Sequence, residues 1–514
     1  MTQTIIQTQD LTITHLKDLK DLVKDLTVTI NRGDKVALIG EEGNGKTTLL
    51  KAFMTPEDIN SYASCSGTVS RHFSSFAYLP QSLPKSERQL TLNAYIFGDN
   101  ETFLDYTKLY RFAAELDFDS DRFATDQLLG SLSGGEMLKV QLIKKLASEA
   151  EVIFLDEPSN DLDLQTLLWL ETFIQESNQT IIFVSHDEAL LSQTANKLIH
   201  LERIKKRAEA RSQVQNLDYE NYKDQRDQSY HRDMKRAKKE RTEHEASLAE
   251  NRRQKQILEH QLRTTKNDFL GRLLAKKMKN ILSHEKRYQR EAQELTEIPI
   301  KEEAINLHFD GIAPLPASKT VVRLENFELT IDDKNLSQGI SLTVKGQDKI
   351  GIIGRNGIGK STLLKTIFNQ LKRKPDLKIA YMPQDYDSLL DVSQTPLHFL
   401  NPSGELSQET RILSHLALLN FTREEARHPI AQLSGGQRAK LLLLNLVLAQ
   451  PQVLLLDEPS RNISPTSQPE LRQLFAQFPG AILAVSHDRL FLREVCDRYY
   501  EIRKDGLIDV DSLD

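Results

Sequence analysis

Cysteine is almost missing from this chain of 514 residues: it has two, Cys65 and Cys496, far apart and without partner ligands at metal spacing. That excludes a disulfide-stapled fold and a zinc or iron–sulfur centre, and it suits a reducing compartment where both are ordinary buried thiols. Long apolar runs are missing too. No window approaches the roughly 18 consecutive apolar residues of a membrane span, and Met1 to Asp10 lacks the basic start and apolar core of a secretory signal. The expectation is a cytoplasmic protein. Nor is there an overall basic excess: the formal net charge is −6, which argues against a nucleic-acid partner unless charge is unevenly distributed.

What is present is size and repetition. A chain this long, 39% hydrophobic and 27% charged, divides into two or three globular domains with real cores. GEEGNGKTTLLK at Gly40 to Lys51 returns as GRNGIGKSTLLK at Gly354 to Lys365. AYLPQ (Ala77 to Gln81) returns as AYMPQ (Ala380 to Gln384), and LSGGE (Leu132 to Glu136) as LSGGQ (Leu433 to Gln437). FLDEPS (Phe154 to Ser159) returns as LLDEPS (Leu455 to Ser460), and VSHD at Val184 returns at Val485. Motifs repeated in one order mean a duplicated domain. Short apolar runs such as VALIG, EVIFLD and IIFVSHD, each followed by a helical pattern, predict an α/β core with parallel strands.

Between the copies the composition changes to Lys, Arg, Glu and Gln, with Gly and Pro nearly absent until Pro299. Arg203 to Ile300 carries an excess of about nine positive charges in a chain whose total is negative. The predicted domains are therefore residues 1–204, a basic linker over 205–314, and residues 315–514. The linker's periodicity is that of a helical hairpin. Met234, Ala237, Leu248, Leu258 and Leu262 would face Leu274, Met278, Ile281, Tyr288, Ala292 and Leu295, with a break at Glu285. A first helix from Glu220 to Arg263 would be about 65 Å long. The turn is expected at Thr264 to Gly271, with Lys266, Asn267, Asp268, Phe269 and Leu270 at its tip. A basic segment of this kind suits a phosphate-rich partner, although a solvated coiled-coil spacer would read similarly.

The G-x-x-x-x-G-K-[ST] pattern wraps phosphate in backbone N–H groups at a helix N-terminus, and both copies follow an apolar strand as that chemistry requires. The candidate phosphate-binding residues are Gly40, Gly43, Asn44, Gly45, Lys46, Thr47 and Thr48. In the second copy they are Gly354, Asn356, Gly357, Gly359, Lys360, Ser361 and Thr362. Lys46 and Lys360 would meet the β- and γ-phosphates of ATP, and Thr47 and Ser361 would offer hydroxyls to Mg²⁺. Apolar strands ending in Asp-Glu put Asp156 and Asp457 in place for water-mediated Mg²⁺ ligation. Glu157 and Glu458 would then polarise the attacking water. His186 and His487, at the end of a later strand, would hold the γ-phosphate and the water in line.

With LSGG, the Gln after AYLP and AYMP, and the His after VS, each half resembles a complete ABC nucleotide-binding domain. The resemblance adds Gln81 and Gln384 as Mg²⁺ contacts and implies head-to-tail halves. Lys46 would then share a nucleotide with Ser434, Gly435 and Gly436, and Lys360 with Ser133, Gly134 and Gly135. Both sites would form within one chain, so no obligate oligomer is needed. Tandem ABC domains with a long charged linker and no membrane span resemble the ABC-F group. That implies a ribosome-associated ATPase whose linker meets ribosomal RNA and tRNA. SRNISP, Ser460 to Pro465, is similar to a segment of the antibiotic-resistance branch of ABC-F (the Vga, Lsa and Sal type), whereas SNDLD at Ser159 keeps the general pattern. The P-loop-to-signature spacing of the two halves differs by only about a dozen residues, too few for an added helical arm.

Three departures stand out. Glu41 and Glu42 bring acid into the first P-loop, which costs affinity if they point inward. No aromatic precedes either P-loop where adenine would stack; Thr14 and His15, then Thr330 and Ile331, stand there. The basic tail of some relatives is not present. The alternatives are a housekeeping ABC-F translation factor, a tandem ATPase subunit of a membrane importer, which the basic hairpin disfavours, and a DNA-repair ABC ATPase, which the missing cysteines disfavour.

Overall fold

The structure is a computed structural model and describes residues 3–98, 104–160, 162–204, 209–264, 268–295, 305–331 and 334–513. Each half is built on a six-stranded sheet. In the first its order is Phe76–Leu79, Val152–Asp156, Thr180–Val184, Lys35–Ile39, Lys197–Ile204 and Glu209–Gln215. The second repeats it as Ile379–Met382, Val453–Asp457, Ala481–Val485, Lys349–Ile353, Arg498–Arg503 and Gly506–Val510. All neighbours are parallel except the last pair in each sheet. VIFLD, VLLLD, TIIFV and AILAV are buried at every position. Helices cover both faces of such strands, so their sequences read as unbroken apolar runs rather than alternating ones.

The strands before the P-loops lie inside the sheets, where strand order departs from chain order. Ligands of open parallel sheets bind at the carboxyl ends of strands beside such a crossing point. There the P-loops leave Ile39 and Ile353, the acidic pairs close the strands at Asp156 and Asp457, and the two histidines follow Val184 and Val485. Sequence-distant motifs meet because each ends a neighbouring strand.

An antiparallel sheet packs beside each core. The first has the order Asp21–Asn31, Thr4–His15 and Ala63–Arg71; the second has Thr320–Ile331 paired with Lys334–Lys345. Ala63–Arg71 has no counterpart in the second half among the described residues, and it lies in the stretch that supplies most of the spacing difference between the halves. The extra residues make an edge strand. Its side chains are mostly exposed, which corrects one expectation: Cys65, paired opposite Ile13, is exposed, and Cys496 alone is buried.

Within the linker expected over 205–314, only residues 220–301 form a separate compact unit, because Glu209–Gln215 is instead the last strand of the first sheet. The linker's helices are Tyr219–Thr264 and Asp268–Glu294. The second helix already begins at Asp268, so Phe269 and Leu270 lie in its first turn rather than in the long turn expected. Both are exposed, Phe269 at 79%. Lys266 and Asn267 fall outside the described residues. Ala237, Leu258 and Leu274 of the expected seam are buried, whereas Ala292 is exposed and lies off it. Polar contacts fix the antiparallel register: a His244 ring nitrogen meets the Tyr288 carbonyl at 2.8 Å, and Asn251 donates to the Ile281 carbonyl at 3.4 Å. Lys255 pairs with Glu285 at 2.9 Å, so the residue that breaks the heptad is held by charge.

Candidate active site

Gly45 (φ 88°) and Gly359 (φ 107°) cap the helices Lys46–Met54 and Lys360–Leu371 in the left-handed region that favours glycine. A Cβ on Gly45 would press on Leu22. The loops fold back on their lysines: Lys46 Nζ donates to the carbonyls of Gly40 (2.7 Å) and Glu41 (3.1 Å). Lys360 Nζ donates to those of Gly354 (2.8 Å) and Arg355 (3.0 Å). Asn44, expected at the nucleotide, instead directs its side chain to the Leu201 carbonyl at 3.0 Å and anchors the loop to the sheet.

Thr47 donates to Asp156 Oδ1, and Ser361 to Asp457 Oδ1, each at 3.1 Å. Hydroxyl beside carboxylate is a hard oxygen donor set of the type Mg²⁺ takes. The other oxygen of Asp457 accepts from the Tyr381 hydroxyl at 3.5 Å, and Tyr78 is the matching neighbour of Asp156. Burial pushes Asp156 up to about 6, against the Thr47 bond, and the Glu157 charge adds to the rise. Burial raises Asp457 likewise.

The two glutamates share a backbone and little else. Glu157 (φ 53°) and Glu458 (φ 52°) both sit in the left-handed region, a strained setting for a side chain of this size that turns it off the strand end. Glu157 accepts from Gln81 at 2.9 Å and from Asn160 at 2.5 Å, and its other oxygen lies 3.4 Å from His186 Nε2. Burial pushes this carboxyl up, but His186, Lys46 and Asn160 outweigh it and hold it down to about 2. Glu458 accepts from the His487 amide at 3.2 Å and lies 3.6 Å from His487 Nε2. Burial raises it despite the Lys360 charge. His487 is itself pushed down to about 3 by burial and Lys360.

The halves face each other through these sites. A cavity of about 810 Å³ has Asn356, Lys360, Ser361, Thr362, Gln384, Asp457, Glu458 and His487 on one wall and Ser133, Gly134 and Gly135 on the other. Ile331 and Leu336 line it too, giving an apolar rather than aromatic surface. Ser133 and Ser434 cap the helices Gly134–Leu146 and Gly435–Leu448 through capping boxes with Glu136 and Gln437, aiming each helix N-terminus across the interface.

Sequence reasoning missed the residues that orient these groups. The Ile463 carbonyl of SRNISP lies 3.1 Å from His186 Nδ1, which must therefore carry the proton, and Gln468 donates to the His186 carbonyl at 2.7 Å. Asn160 was missed although it stands only three residues after Glu157, whereas Lys440 was missed because its partner, Glu41, lies in the other half. Gln81 and Asn160 both donate to Glu157, so in the first site the glutamine bonds to the acid beside its expected metal contact. Thr48 lies in the first turn of its P-loop helix.

The ABC transporter family matches residues 23–160 and 337–461. ATP-binding protein Uup of Buchnera aphidicola is 28% identical over 504 residues, which cover 95% of this chain and 79% of that protein. ABC transporter F family member 5 of Arabidopsis thaliana is 27% identical over 538 residues, 95% of this chain and 73% of that one. Ribosome protection protein VmlR of Bacillus subtilis is 28% identical over 504 residues, 95% and 86% of the two chains. In fold the chain is similar to a solved complex of an archaeal ribosomal stalk protein and the archaeal ribosome recycling factor aABCE1. That likeness has TM-score 0.60 at 18% identity, covering 98% of this chain and 90% of that one. Among the described residues no helix is long and apolar enough to cross a membrane. With its motifs repeated at the strand ends of two matching sheets, this chain belongs to the ABC transporter family: it is an ATP hydrolase with two ABC-type nucleotide-binding domains in one polypeptide, on the ABC-F pattern.

Proposed function

We propose that the chain is an ATP-driven clamp that acts on ribosomes through its basic hairpin. The observation that carries this reading is the hairpin itself, a two-helix unit with a net positive charge that lies in sequence between two ABC domains, in a chain among whose described residues no helix is long and apolar enough to cross a membrane. Positive charge along a helical rod suits the phosphate surface of ribosomal RNA or tRNA. Similarity over 95% of the chain to a ribosome protection protein supports the same partner.

The chemistry belongs to two composite sites. Lys46 and Lys360 hold phosphate, with the N–H groups of the two P-loops, and the signature of the other half closes over it. Thr47 with Asp156, and Ser361 with Asp457, would hold Mg²⁺, with Gln81 and Gln384 beside them. The ion neutralises phosphate charge when bound. Glu157 and Glu458 orient the attacking water and receive its proton, while His186 and His487 fix the direction of attack. Loss of the γ-phosphate removes the bridge between the halves, so turnover resets the clamp.

The finer reading is protection against antibiotics of the large subunit, with the hairpin turn near the peptidyl-transferase centre. SRNISP and the exposed Phe269 and Leu270 support it. Glu157→Gln combined with Glu458→Gln is expected to trap the ATP-bound protein on ribosomes in a co-sedimentation assay; recovery equal to an ATP-free control would refute the clamp. Replacing Phe269 and Leu270 with Ser is expected to abolish drug tolerance in a sensitive host and leave ATP hydrolysis intact. Unchanged tolerance would leave a housekeeping translation factor as the better reading.

A further inference from the structure

The two P-loops differ at the positions after their first glycine, where Glu41 and Glu42 stand in place of Arg355 and Asn356. Both acids reach across to the second domain. Glu41 Oε1 pairs with Lys440 Nζ at 2.7 Å, and the Lys440 side chain is only 3% exposed. Glu42 Oε2 accepts the backbone N–H of Gly436 at 2.9 Å. Gly436 lies in the first turn of the 14-residue signature helix, and a side chain on Gly435 would overlap the Glu42 carboxylate. Glu42 also lines the cavity of about 590 Å³ formed with Ser434, Gly435, Arg438 and Arg461. The carboxylate thus holds the N–H group that, on the reading above, receives a γ-phosphate.

In the other site the matching residue is neutral. Asn356 lies against Gly135 and accepts from Lys360 Nζ at 3.3 Å, and it lines the cavity of about 810 Å³ beside the facing signature. An amide can donate to phosphate oxygen; a carboxylate can only compete with it for the same N–H and repel it.

We propose that Glu42 is a specificity-determining residue of the Lys46 site, favouring nucleoside diphosphate over triphosphate by holding the γ-phosphate subsite with its own carboxylate. A diphosphate reaches Lys46 and Thr47 and leaves the contact between Glu42 and Gly436 in place. A triphosphate must displace it, beside a Glu41–Lys440 pair that resists separation of the loop from the signature helix. The proposal rests on the composite-site reading.

The test is equilibrium binding to the full-length chain carrying Lys360→Ala, which leaves the Lys46 site to titrate with ADP and with a non-hydrolysable ATP analogue. Adding Glu42→Asn, the residue of the second loop, is expected to tighten the analogue at least about tenfold and to move ADP by less than about twofold. Glu42→Gln, which keeps the side-chain size and removes the charge, is expected to shift the same ratio in the same direction. Equal shifts for both ligands, or none, would overturn the proposal. Titration of the Lys360 site in a Lys46→Ala chain separates the two readings: loss of binding there too would instead count against the nucleotide-site assignment.

Discussion

The Lys46 and Lys360 sites carry the same motifs on the same strand ends, yet the opposing domain meets them differently. At Lys360 the facing signature borders a cavity of about 810 Å³, the loop presents neutral Asn356, and the neighbouring interdomain pair, Arg355 with Asp117 at 2.7 Å, is more than 60% exposed on both sides. At Lys46 the Gly436 N–H of the facing helix is taken by Glu42, and the P-loop residue matching Arg355, Glu41, pairs instead with Lys440 in a largely buried contact. The acids differ as well: Glu157 is tied to Gln81, Asn160 and His186, whereas Glu458 keeps fewer polar partners and is raised by burial. Duplication preserved the chemistry that each half performs alone and diversified the contacts made between halves. On the proposed reading of Glu42, the Lys46 site favours a diphosphate and the Lys360 site carries most of the turnover.

Breaking the Lys360 site gives the largest expected effect. A Cβ on Gly135 would come 3.2 Å from Asn356 Cβ, so Gly135→Val fills the signature side of the cavity, and steady-state ATPase is expected to fall on the order of 100-fold. Gly436→Val, whose Cβ would come 3.1 Å from the Asn462 carbonyl at the signature facing Lys46, is expected to cost less than about half of turnover. Equal losses in the two variants would erase the comparison.

Next come the interdomain pairs. Lys440→Ala strands Glu41 at the interface and is expected to destabilise the chain by about 2–3 kcal/mol in denaturant unfolding. Arg355→Ala, at the exposed pair, is expected to cost less than about 1 kcal/mol. A smaller effect is expected of Gln468→Ala, which releases the His186 carbonyl. It should lower turnover by about threefold in a chain whose Lys360 site is disabled, and leave it unchanged when the Lys46 site is disabled.

The smallest effect sharpens the comparison through pH. Burial pushes Asp187 up to about 7, and Asp488 adds to the rise against the Leu190 amide bond and Arg489, with Glu171 also facing it. An acid raised in the folded state holds its proton there while the unfolded chain has lost it. Stability contributed by the protonated form is thus present below about pH 4 and declines as pH rises towards 7. Asp187→Asn can keep the helix cap and is expected to flatten that decline in thermal unfolding measured from pH 5 to 7.5. A slope equal to the parent chain's would show that Asp187 is not the group responsible.

Much of this was legible in the sequence because phosphate chemistry is local. A P-loop needs glycines, lysine and hydroxyl in one short run, and an acidic pair needs only a buried strand to end on, so Lys46, Thr47, Asp156 and their counterparts read directly. The helix Tyr219–Thr264 was legible from its periodicity. The edge strand Ala63–Arg71 was not: its residues are mostly exposed and show no apolar face. Glu41 and Glu42 were visible as misplaced acid, but their direction was not, since Lys440 and Gly436 lie roughly 400 positions away and only the packing of the halves brings them together. Gln468 and Ile463 were hidden for the same reason.

The inequality of the sites is tested most directly by steady-state ATP turnover of Glu458→Gln and Glu157→Gln measured side by side. A loss of about 100-fold is expected for Glu458→Gln, and retention of more than about half the activity for Glu157→Gln. Equal losses, or a greater loss for Glu157→Gln, would contradict that inequality.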